Sequence, residues 1–325
     1  MTKIKGSIGI MFLGGARRVA MAKLFRKAAN DAGLELRLYS YELGRREPIA
    51  DEADIIIGRK WNDPEVYAHL AEISDSKNID VIIPFVDGAV GIAARFISLY
   101  PGKVWSPVSI GTDPDLMFDK VLAAKRFEEL GLPIPATYIP GEPCMQLIAK
   151  PRKGSASKGI RLINSIDTLN EILSDADRYL IQRYIPNRKE YSVDCYVSRH
   201  GDPLCIVPRE RLEVIGGEVT RTITVDAPDI IDLARKTLNL LELTGAVTIQ
   251  MIRDMDNGAL MLMEINPRLG GGAVCAVQAG ADIPSMIISE SQGLTPVASC
   301  NWITGTEICR YMQEVVFFPD NITQK

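Results

Sequence analysis

Histidine is almost absent from this sequence of 325 residues, which contains only His69 and His200. His69 falls in a helical pattern and His200 in the turn RHGDP, and both positions are typical of surface residues. So few imidazoles argue against His-based triads and His-ligated metal sites. Catalysis should therefore depend on carboxylates, amides, lysine, arginine and backbone groups, which are the groups that phosphoryl transfer uses.

The sequence lacks any C-x-x-C pair among its six cysteines. Most of the six lie inside apolar segments; they are Cys144, Cys195, Cys205, Cys275, Cys300 and Cys309. This pattern predicts reduced core thiols in a reducing compartment, and neither a zinc site nor a disulfide framework.

Long apolar runs and basic clusters are missing as well. No apolar run reaches the roughly 18 residues of a spanning helix, and the N-terminal segment SIGIMFL is too short for the core of a signal peptide. The 37 basic and 41 acidic residues are interspersed and give a net charge of -4. We therefore expect a cytoplasmic protein of two or three domains that binds neither membranes nor nucleic acids.

The first hundred residues alternate short apolar segments with helical patterns. The apolar segments are SIGIMFL, LELRLYS, ADIII and IDVIIPF, and patterns such as RRVAMAKLFRKAANDAG and PEVYAHLAEISDSKN lie between them. This alternation predicts a parallel sheet covered by crossover helices.

The residues that follow two of these strands allow two interpretations each. Gly14 and Gly15 end the first strand, but no third glycine completes the dinucleotide fingerprint G-x-G-x-x-G. They serve either a tight turn or, with Arg17 and Arg18, an anionic ligand at a helix N-terminus. Asp87 follows the fourth strand and is either a substrate contact or an ordinary loop residue.

A glycine-rich loop comes after the segment WSPVSIGTDPD, whose Pro, Gly and Asp residues indicate a domain boundary. Beyond the predicted helix FDKVLAAKRFEELG, the strands LIAKP and IRLIN flank the loop RKGSASKG. Glycines let backbone N–H groups approach an anion, serines add hydroxyl donors, and a lysine reaches in from the preceding strand. These residues are Gly154, Gly159, Ser155, Ser157 and Lys150. Alone, the loop fits a solvated hairpin tip as well as a phosphate site.

The segment YLIQRYIPNRKEYSVDCYV predicts two strands joined by a kinked linker, with Glu190 facing several cations. A segment that crosses between lobes exposes backbone N–H and C=O groups, which suit the edge of an adenine ring. A carboxylate suits a ribose diol. This segment is therefore a candidate nucleoside site.

The hairpin in LTGAVTIQMIRDMDNGALMLMEINPR brings three oxygen donors together. A three-residue turn at residues 256–258, Asp-Asn-Gly, sets Gln250 opposite Glu264, with Asn266 on the same face. Such oxygen ligands fit Mg²⁺ that keeps other positions for phosphates and water. Arg268, just beyond, would lie near a transferring phosphoryl group, where a fixed cation stabilises developing charge.

As a set, these residues closely resemble those of the ATP-grasp enzymes. The resemblance rests on Lys120 in FDK, Lys150, the QRYI linker with Glu190, and then Gln250, Glu264, Asn266 and Arg268 in this order. Within the family, the chain looks most similar to the proteins that resemble the halves of the carbamoyl phosphate synthase large subunit. Its Gln, Glu, Asn metal set and its run NPRLGGG both look like theirs. Residues 112–312 carry the resemblance.

The resemblance implies an α/β ATP-grasp fold, with two α+β lobes clasping ATP. Its parts would be a Rossmann-like pre-ATP-grasp domain over residues 1–110, a small lobe with the glycine-rich loop over residues 111–181, and a large lobe with the metal site over residues 182–325.

The same resemblance implies a role for each site residue. Lys120 and Lys150 would bind the ATP phosphates, and the loop 154–159, with Gly154, Ser155, Ser157 and Gly159, would close over them. Gln182, Arg183 and Ile185 would line the adenine pocket, and Glu190 would hold the ribose. Gln250, Glu264 and Asn266 would coordinate one or two Mg²⁺ or Mn²⁺ ions, and Arg268 would steady the γ-phosphoryl group. The chain departs from the family pattern at Arg183, where an acid is common, and at Lys158, where the synthase has small residues.

The expected activity is that of an ATP-dependent carboxylate–amine ligase. Such an enzyme transfers phosphate from ATP to a small carboxylate, which gives an acylphosphate and ADP, and an amine then displaces the phosphate. In the segment VPRERLEVIGGEVTRTIT, Arg209, Arg211 and Arg221 either hold an acid group or form a solvated strand face. The alternatives are a nucleotide-binding regulatory protein without turnover and a Rossmann-type oxidoreductase, which rests on GGARR alone. A homodimer is left open.

Overall fold

The computed structural model describes residues 6–109, 114–141, 146–154 and 158–319, and only the backbone of residues 114 and 115. Two compact units make up the chain. The first is Met1–Pro107 with Pro284–Pro296 and Arg310–Lys325, and the second is Val108–Ile283 with Val297–Cys309. The division into three parts that the resemblance implies stays a prediction.

The first unit contains a four-stranded parallel sheet of order β3-β2-β1-β4. Its strands are β1 (Ser7–Leu13), β2 (Glu35–Glu42), β3 (Asp54–Ile57) and β4 (Val81–Pro84), and its helices include α1 (Val19–Asp31), α2 (Val66–Ser76) and α3 (Asp87–Leu99). The parallel sheet with crossover helices predicted from the alternation is therefore confirmed.

Strand β1 lies inside this sheet and is buried almost throughout, as expected where helices cover both faces. Gly9 of β1 lies where the turn before β4 passes close to the strand. A Cβ atom at this position would lie 2.2 Å from the Asn78 carbonyl oxygen. The Gly9 N–H also donates a hydrogen bond to Asp80 Oδ2 at 2.9 Å. The lack of a side chain thus lets the turn before β4 pack directly on β1.

The second unit contains two antiparallel sheets. The three-stranded sheet has the order β6-β5-β7, with β5 (Leu147–Pro151), β6 (Arg161–Ile163) and β7 (Tyr179–Arg183). The helices near it in sequence are α4 (Pro114–Phe118), α5 (Lys120–Glu129) and α6 (Ile166–Leu173). The six-stranded sheet has the order β12-β11-β8-β9-β10-β13. Its strands are β8 (Arg188–Val197), β9 (Pro203–Ile215), β10 (Glu218–Thr224), β11 (Gly245–Asp254), β12 (Leu260–Asn266) and β13 (Glu307–Cys309).

The other α-helices among the described residues are α7 (Pro228–Leu240), α8 (Val274–Gln278) and α9 (Ile283–Ser291). Among the residues described, no single helix is long and apolar enough to cross a membrane. Gly271–Gln278 and Ile283–Ser291 meet that test of length and composition only when taken together as a bent pair.

The six-stranded sheet has one apolar and one polar face, because successive side chains along a strand alternate. On the apolar face, Val193 and Cys195 of β8 and Ile249 of β11 pack with Ile230 and Leu238 of α7. The opposite face carries polar side chains from the same strands, among them Ser192, Asp194, Arg209, Thr248 and Asn266, all buried. One face thus forms the core, and the other is available for a polar site.

The three-stranded sheet divides its side chains in the same way. Leu147 and Ala149 of β5 pack with Ile181 of β7 and Leu169 of α6 in an apolar cluster. Lys150, next along β5, therefore projects from the other face.

The hairpin of β11 and β12 pairs Gln250 with Glu264, as predicted, but the predicted three-residue turn is wrong. The connection spans residues 255–259 because the Asp254 carboxylate accepts hydrogen bonds from the Asp256 N–H and from Asn257 Nδ2, at 3.0 and 3.1 Å. A β-bulge between Gln250 and Met251 offsets the change in length. The bulge restores the cross-strand pair.

We predict that Gly9→Ala lowers the free energy of unfolding by about 1–3 kcal/mol, because the new methyl group meets a backbone carbonyl that must move. Urea denaturation followed by circular dichroism measures the change. Gly6→Ala is the matched control, since a Cβ atom there has no neighbour within 4 Å. Equal stability of the two variants would contradict the close packing of the turn on β1.

Candidate active site

A cavity of about 390 Å³ lies in the second unit and is lined by side chains of both its sheets. Six cationic and two acidic side chains line it: Lys120, Lys150, Lys158, Arg183, Arg188, Arg211, Glu190 and Glu264. Apolar residues such as Ile148, Ile185 and Ile252 line it as well. An excess of cations beside apolar walls suits a ligand that has both an anionic and a flat apolar part.

Lys150 extends into this cavity and donates a hydrogen bond to Gln182 Oε1 at 3.0 Å. Gln182 is buried and donates through Nε2 to the Pro135 carbonyl, also at 3.0 Å, which orients its amide oxygen toward the lysine. Burial lowers the pKa of Lys150 to about 8, although the negative charge of Glu264 opposes the shift. The ammonium is therefore a partly desolvated cation that an anionic ligand would stabilise.

Lys120 begins α5 and approaches the glycine-rich loop, where its Nζ donates to the Gly154 carbonyl at 2.7 Å. Asp119 positions it by capping α5 and by accepting a hydrogen bond from Arg152 Nε at 2.6 Å. Gly154 has a φ of +125°, a conformation that side chains rarely adopt. Gly159 also has a positive φ, whereas Ser155 and Ser157 lie outside the described residues.

The linker after β7 contributes backbone groups, and Glu190 follows at the start of β8. Arg188 bridges the two by donating to Glu190 Oε1 and to the Ile185 carbonyl, each at 2.9 Å. The Arg183 N–H bonds to the Ala136 carbonyl at 2.8 Å, and its guanidinium approaches Asp254 Oδ2 at 3.5 Å. Within the described part of the chain, the Ile185 N–H has no hydrogen-bond partner. This donor lies beside the cavity, so it is available to a ligand.

The three predicted metal ligands lie in contact on β11 and β12. Glu264 Oε1 accepts hydrogen bonds from Gln250 Nε2 at 3.2 Å and from Asn266 Nδ2 at 2.7 Å. Arg268 Nη2 donates to Asn266 Oδ1 at 3.0 Å. Rotation of either amide about its last bond presents its oxygen instead of its nitrogen. The same side chains then offer oxygen ligands of the kind that Mg²⁺ and Mn²⁺ prefer.

No group of three His, Cys, Asp or Glu side chains that could hold a metal ion occurs among the residues described. The donor set of Gln250, Glu264 and Asn266 supplies only one carboxylate. It therefore fits an ion that takes further oxygen ligands from a bound phosphate or from water.

Comparison with known proteins identifies the fold. Residues 175–314 match the family model described as ATP-grasp in the biosynthetic pathway with Ter operon. The chain is also similar to the solved structure of N5-carboxyaminoimidazole synthetase from Staphylococcus aureus complexed with ADP, with 19% identity, a TM-score of 0.71, and coverage of 91% of this chain and 80% of that one. The chain has an ATP-grasp fold.

Other ATP-grasp structures are similar over comparable lengths. Biotin carboxylase from Campylobacter jejuni, in a complex named β-γ-ATP, has 16% identity and a TM-score of 0.69, and the match covers 88% of this chain and 71% of that one. The L-amino acid ligase from Bacillus licheniformis has 13% identity and a TM-score of 0.66, with coverage of 89% and 75%. At these identities the likeness concerns the fold, and it confirms the predicted α/β ATP-grasp class.

The sequence did not reveal the buried ion pair that Arg209 and Asp194 form on the polar face of the six-stranded sheet. Arg209 Nε donates to Asp194 Oδ2 at 2.6 Å, and both side chains are almost fully buried. Thr248 Oγ1 donates to Asp194 Oδ1 at 2.9 Å and accepts from the Gly270 N–H at 2.9 Å. A Cβ atom at Gly272 would lie 2.5 Å from Arg209 Nη1. The glycines after Arg268 thus let the chain pack against this ion pair.

The other two arginines considered with Arg209 have different surroundings. Arg211 is nearly buried and lines the cavity, where its Nη1 donates to Gln250 Oε1 at 2.8 Å. Arg221 is exposed and pairs with Glu307. Only Arg211 is placed to meet a ligand in the cavity.

In the first unit, the Gly14–Arg18 segment holds an internal anion. Burial raises the pKa of the Glu42 carboxyl, opposed by hydrogen bonds from Ser40 Oγ and from the N–H groups of Gly15 and Ala16. Those N–H groups are therefore already satisfied by a carboxylate. Arg17 is exposed and Asp87 begins α3, and a substrate contact by either residue stays a prediction.

We predict that Asp194→Leu lowers the free energy of unfolding by about 3–5 kcal/mol, because the substitution leaves the Arg209 guanidinium buried without its carboxylate. The double variant Asp194→Leu, Arg209→Met should recover most of this loss, since no unpaired charge remains. Urea denaturation of the single and double variants measures both values. A single variant within about 1 kcal/mol of the wild type would contradict the buried pair.

Proposed function

We propose that the chain is an ATP-dependent carboxylate–amine ligase that forms an acylphosphate and releases ADP and phosphate. The observation that carries the proposal is that Gln250 and Glu264 line the same cavity as the six cations, while Asn266 contacts Glu264 and Arg268 contacts Asn266. Phosphoryl transfer depends mainly on positioning and charge stabilisation, which such a cavity supplies without histidine.

The end of β7, the linker after it and the start of β8 would bind the nucleoside. Gln182, Arg183 and Ile185 line the adenine site in this proposal, with the Ile185 N–H donating to a ring nitrogen. The apolar side chain of Ile185 is buried at the same place and suits the ring face. Glu190, at the start of β8, would accept hydrogen bonds from the ribose hydroxyls.

Residues of the three-stranded sheet and α5 would bind the phosphates. Lys120 and Lys150 supply point charges, and Gly154 and Gly159, with Ser155 and Ser157, supply hydrogen-bond donors. Binding of an anion would relieve the desolvated Lys150 ammonium, whose pKa burial lowers to about 8. Residues 111–181 would form the small lobe and residues 182–325 the large lobe, with residues 1–110 as the preceding domain.

The large lobe would carry out the chemistry. Gln250, Glu264 and Asn266 would hold one or two Mg²⁺ or Mn²⁺ ions, which screen the charge of the terminal phosphates when bound. A carboxylate oxygen of the first substrate attacks the γ-phosphorus, the bond to the bridging oxygen breaks, and ADP leaves. Arg268 stabilises the transferring group. The amine then attacks the acyl carbon, loses a proton and displaces phosphate.

The names of similar structures support a nucleotide-dependent reaction on a carboxyl group. One is a carboxyaminoimidazole synthetase with ADP, another a biotin carboxylase complex with an ATP ligand, and a third an L-amino acid ligase. An ADP magnesium salt accompanies the biotin carboxylase domain of a 2-oxoglutarate carboxylase from Hydrogenobacter thermophilus. Small-molecule carboxylates and amines are the substrates proposed here, and a homodimer is compatible with the proposal.

We predict that ADP release requires Mg²⁺, a carboxylate and an amine together, and that Glu264→Gln lowers kcat by at least about 10²–10³-fold because it removes the single carboxylate of the proposed metal set. A coupled assay for ADP, run over a panel of amino acids and small acids, measures both. Glu213→Gln is the control, since Glu213 lies on β9 away from the cavity lining. Normal turnover by folded Glu264→Gln would reject the site, and AMP as the main product would reject the mechanism.

We predict that the affinity for Mg²⁺ with a non-hydrolysable ATP analogue falls as the pH rises above about 8, because Lys150 loses the proton that phosphate binding favours. Below that pH the lysine is charged and the affinity should level off. Isothermal titration calorimetry from pH 6.5 to about 9.5 measures the profile, and Lys150→Met should bind weakly without this step. A flat wild-type profile across pH 8 would remove Lys150 from the phosphate site.

The same pKa shift has a consequence for stability. An ordinary lysine titrates near 10.4, so between about pH 8 and pH 10.4 the unfolded chain binds a proton that the folded chain has released. The contribution of Lys150 to folding therefore becomes more favourable as the pH rises through this window. Lys150→Met should lack this pH-dependent contribution.

A further inference from the structure

Arg211 is a cation of the cavity to which the proposed nucleotide and metal contacts give no role. It lies on β9, on the polar face of the six-stranded sheet, and only 9% of its side chain is exposed. Its Nη1 donates to Gln250 Oε1 at 2.8 Å, so the guanidinium adjoins the proposed metal ligands. The residue is therefore one side chain away from the centre of phosphoryl transfer.

The remaining edge of this guanidinium is unsatisfied. Arg211 Nε is buried and has no hydrogen-bond partner, and among the described residues the contact with Gln250 is the only hydrogen bond of the group. The nearest carboxylate oxygen, Glu190 Oε2, is 3.8 Å from Nε, beyond hydrogen-bond distance. Glu190 already accepts a hydrogen bond from Arg188. A buried guanidinium with a free edge is rare unless a ligand completes it.

Charge balance indicates what this ligand is. The cavity lining has six cations and two carboxylates, whereas ATP with one divalent ion carries only about two net negative charges. Positive charge therefore remains after the nucleotide binds. The flat edge of a guanidinium matches the two oxygens of a carboxylate, and an arginine makes this fork where a lysine supplies only a point charge.

We propose that the Nε–Nη2 edge of Arg211 binds the carboxylate of the acyl donor and holds it beside Gln250 and Glu264 for attack on the γ-phosphorus. This assignment rests on the proposed ligase function. One carboxylate oxygen forms the new bond to phosphorus while the bond from phosphorus to the bridging oxygen of ATP breaks and ADP leaves. Arg211 keeps its proton and stays bound to the second oxygen.

The test compares Arg211→Met and Arg211→Lys with the wild type. Hydroxylamine serves as the amine, and the twenty amino acids, acetate and bicarbonate serve as carboxylates at saturating Mg²⁺ and ATP. For the acid that supports ADP release, the Michaelis constant should rise about 10²-fold in Arg211→Met, as expected for loss of hydrogen bonds to a charged group. The Michaelis constant of Arg211→Lys should lie between those of the wild type and Arg211→Met, because lysine keeps the positive charge but cannot form two parallel hydrogen bonds.

Two further measurements separate this role from others. The dissociation constant of Mg²⁺ with a non-hydrolysable ATP analogue should change less than about threefold, and the Mg²⁺ dependence of turnover should stay the same. Lys189→Met is the control for loss of a positive charge. Lys189 lies on the neighbouring strand β8 and forms an exposed ion pair with Glu210. If a thermal melt shows that Arg211→Met is unfolded at the assay temperature, the comparison is made with Arg211→Lys alone.

The outcomes are distinct. An unchanged Michaelis constant for the acid overturns the assignment. An equal loss of affinity for the ATP analogue shows that the edge binds a phosphate instead, and a change confined to the Mg²⁺ dependence shows that Arg211 acts only through Gln250. A wild-type protein that does not bind the analogue, or that binds it but releases ADP with none of these acids, contradicts the ligase function itself.

Discussion

The alternation of side chains along the strands of the six-stranded sheet is the constraint on which the candidate site depends. Strands β8, β9, β11 and β12 bury one set of side chains in the apolar core that includes α7, and side chains of their other set line the cavity. A shift of one residue in the register of β11 and β12 would send Gln250 and Glu264 into the core and bring Ile249 and Ile265 to the cavity. The apolar core therefore specifies the geometry of the polar site.

A buried polar network on the polar face of the sheet adds a second level of organisation. The ion pair of Arg209 and Asp194 is buried on the polar face, and Thr248 links it to the backbone at Gly270. The chain after Arg268 passes close to this network, where a side chain at Gly272 would collide with the Arg209 guanidinium and one at Gly270 would collide with Thr248. The run of glycines next to Arg268 thus has a packing role as well as its place in the motif.

Sequence reasoning succeeded where local periodicity carries the information. The parallel sheet of the first unit follows from alternating strand and helix patterns, and the pairing of Gln250 with Glu264 follows from the strand period. The predicted length of the turn was wrong because the Asp254 carboxylate accepts hydrogen bonds that go with a longer connection. Counting residues does not reveal such hydrogen bonds. The bulge that compensates is likewise a property of the paired strands.

Contacts between residues far apart in sequence were beyond such reasoning. The sequence offered Arg209, Arg211 and Arg221 as equivalent, yet one is in a buried pair, one lines the cavity and one is exposed. The segment after β1 looked free for an anion, but the Glu42 carboxylate, from the end of the neighbouring strand β2, accepts hydrogen bonds from the N–H groups of Gly15 and Ala16. These distinctions depend on which strands become neighbours, and single-strand patterns do not contain that information.

The central claim, that the cavity transfers the γ-phosphoryl group of ATP to a carboxylate, is tested most directly by the fate of a labelled oxygen. The carboxylate that supports ADP release is prepared with ¹⁸O in both oxygens, and the phosphate released in the presence of the amine is analysed by mass spectrometry. Attack of the carboxylate oxygen on phosphorus predicts one ¹⁸O atom in each phosphate released. Phosphate without ¹⁸O, under conditions in which ADP and the amide product form together, would contradict the acylphosphate mechanism.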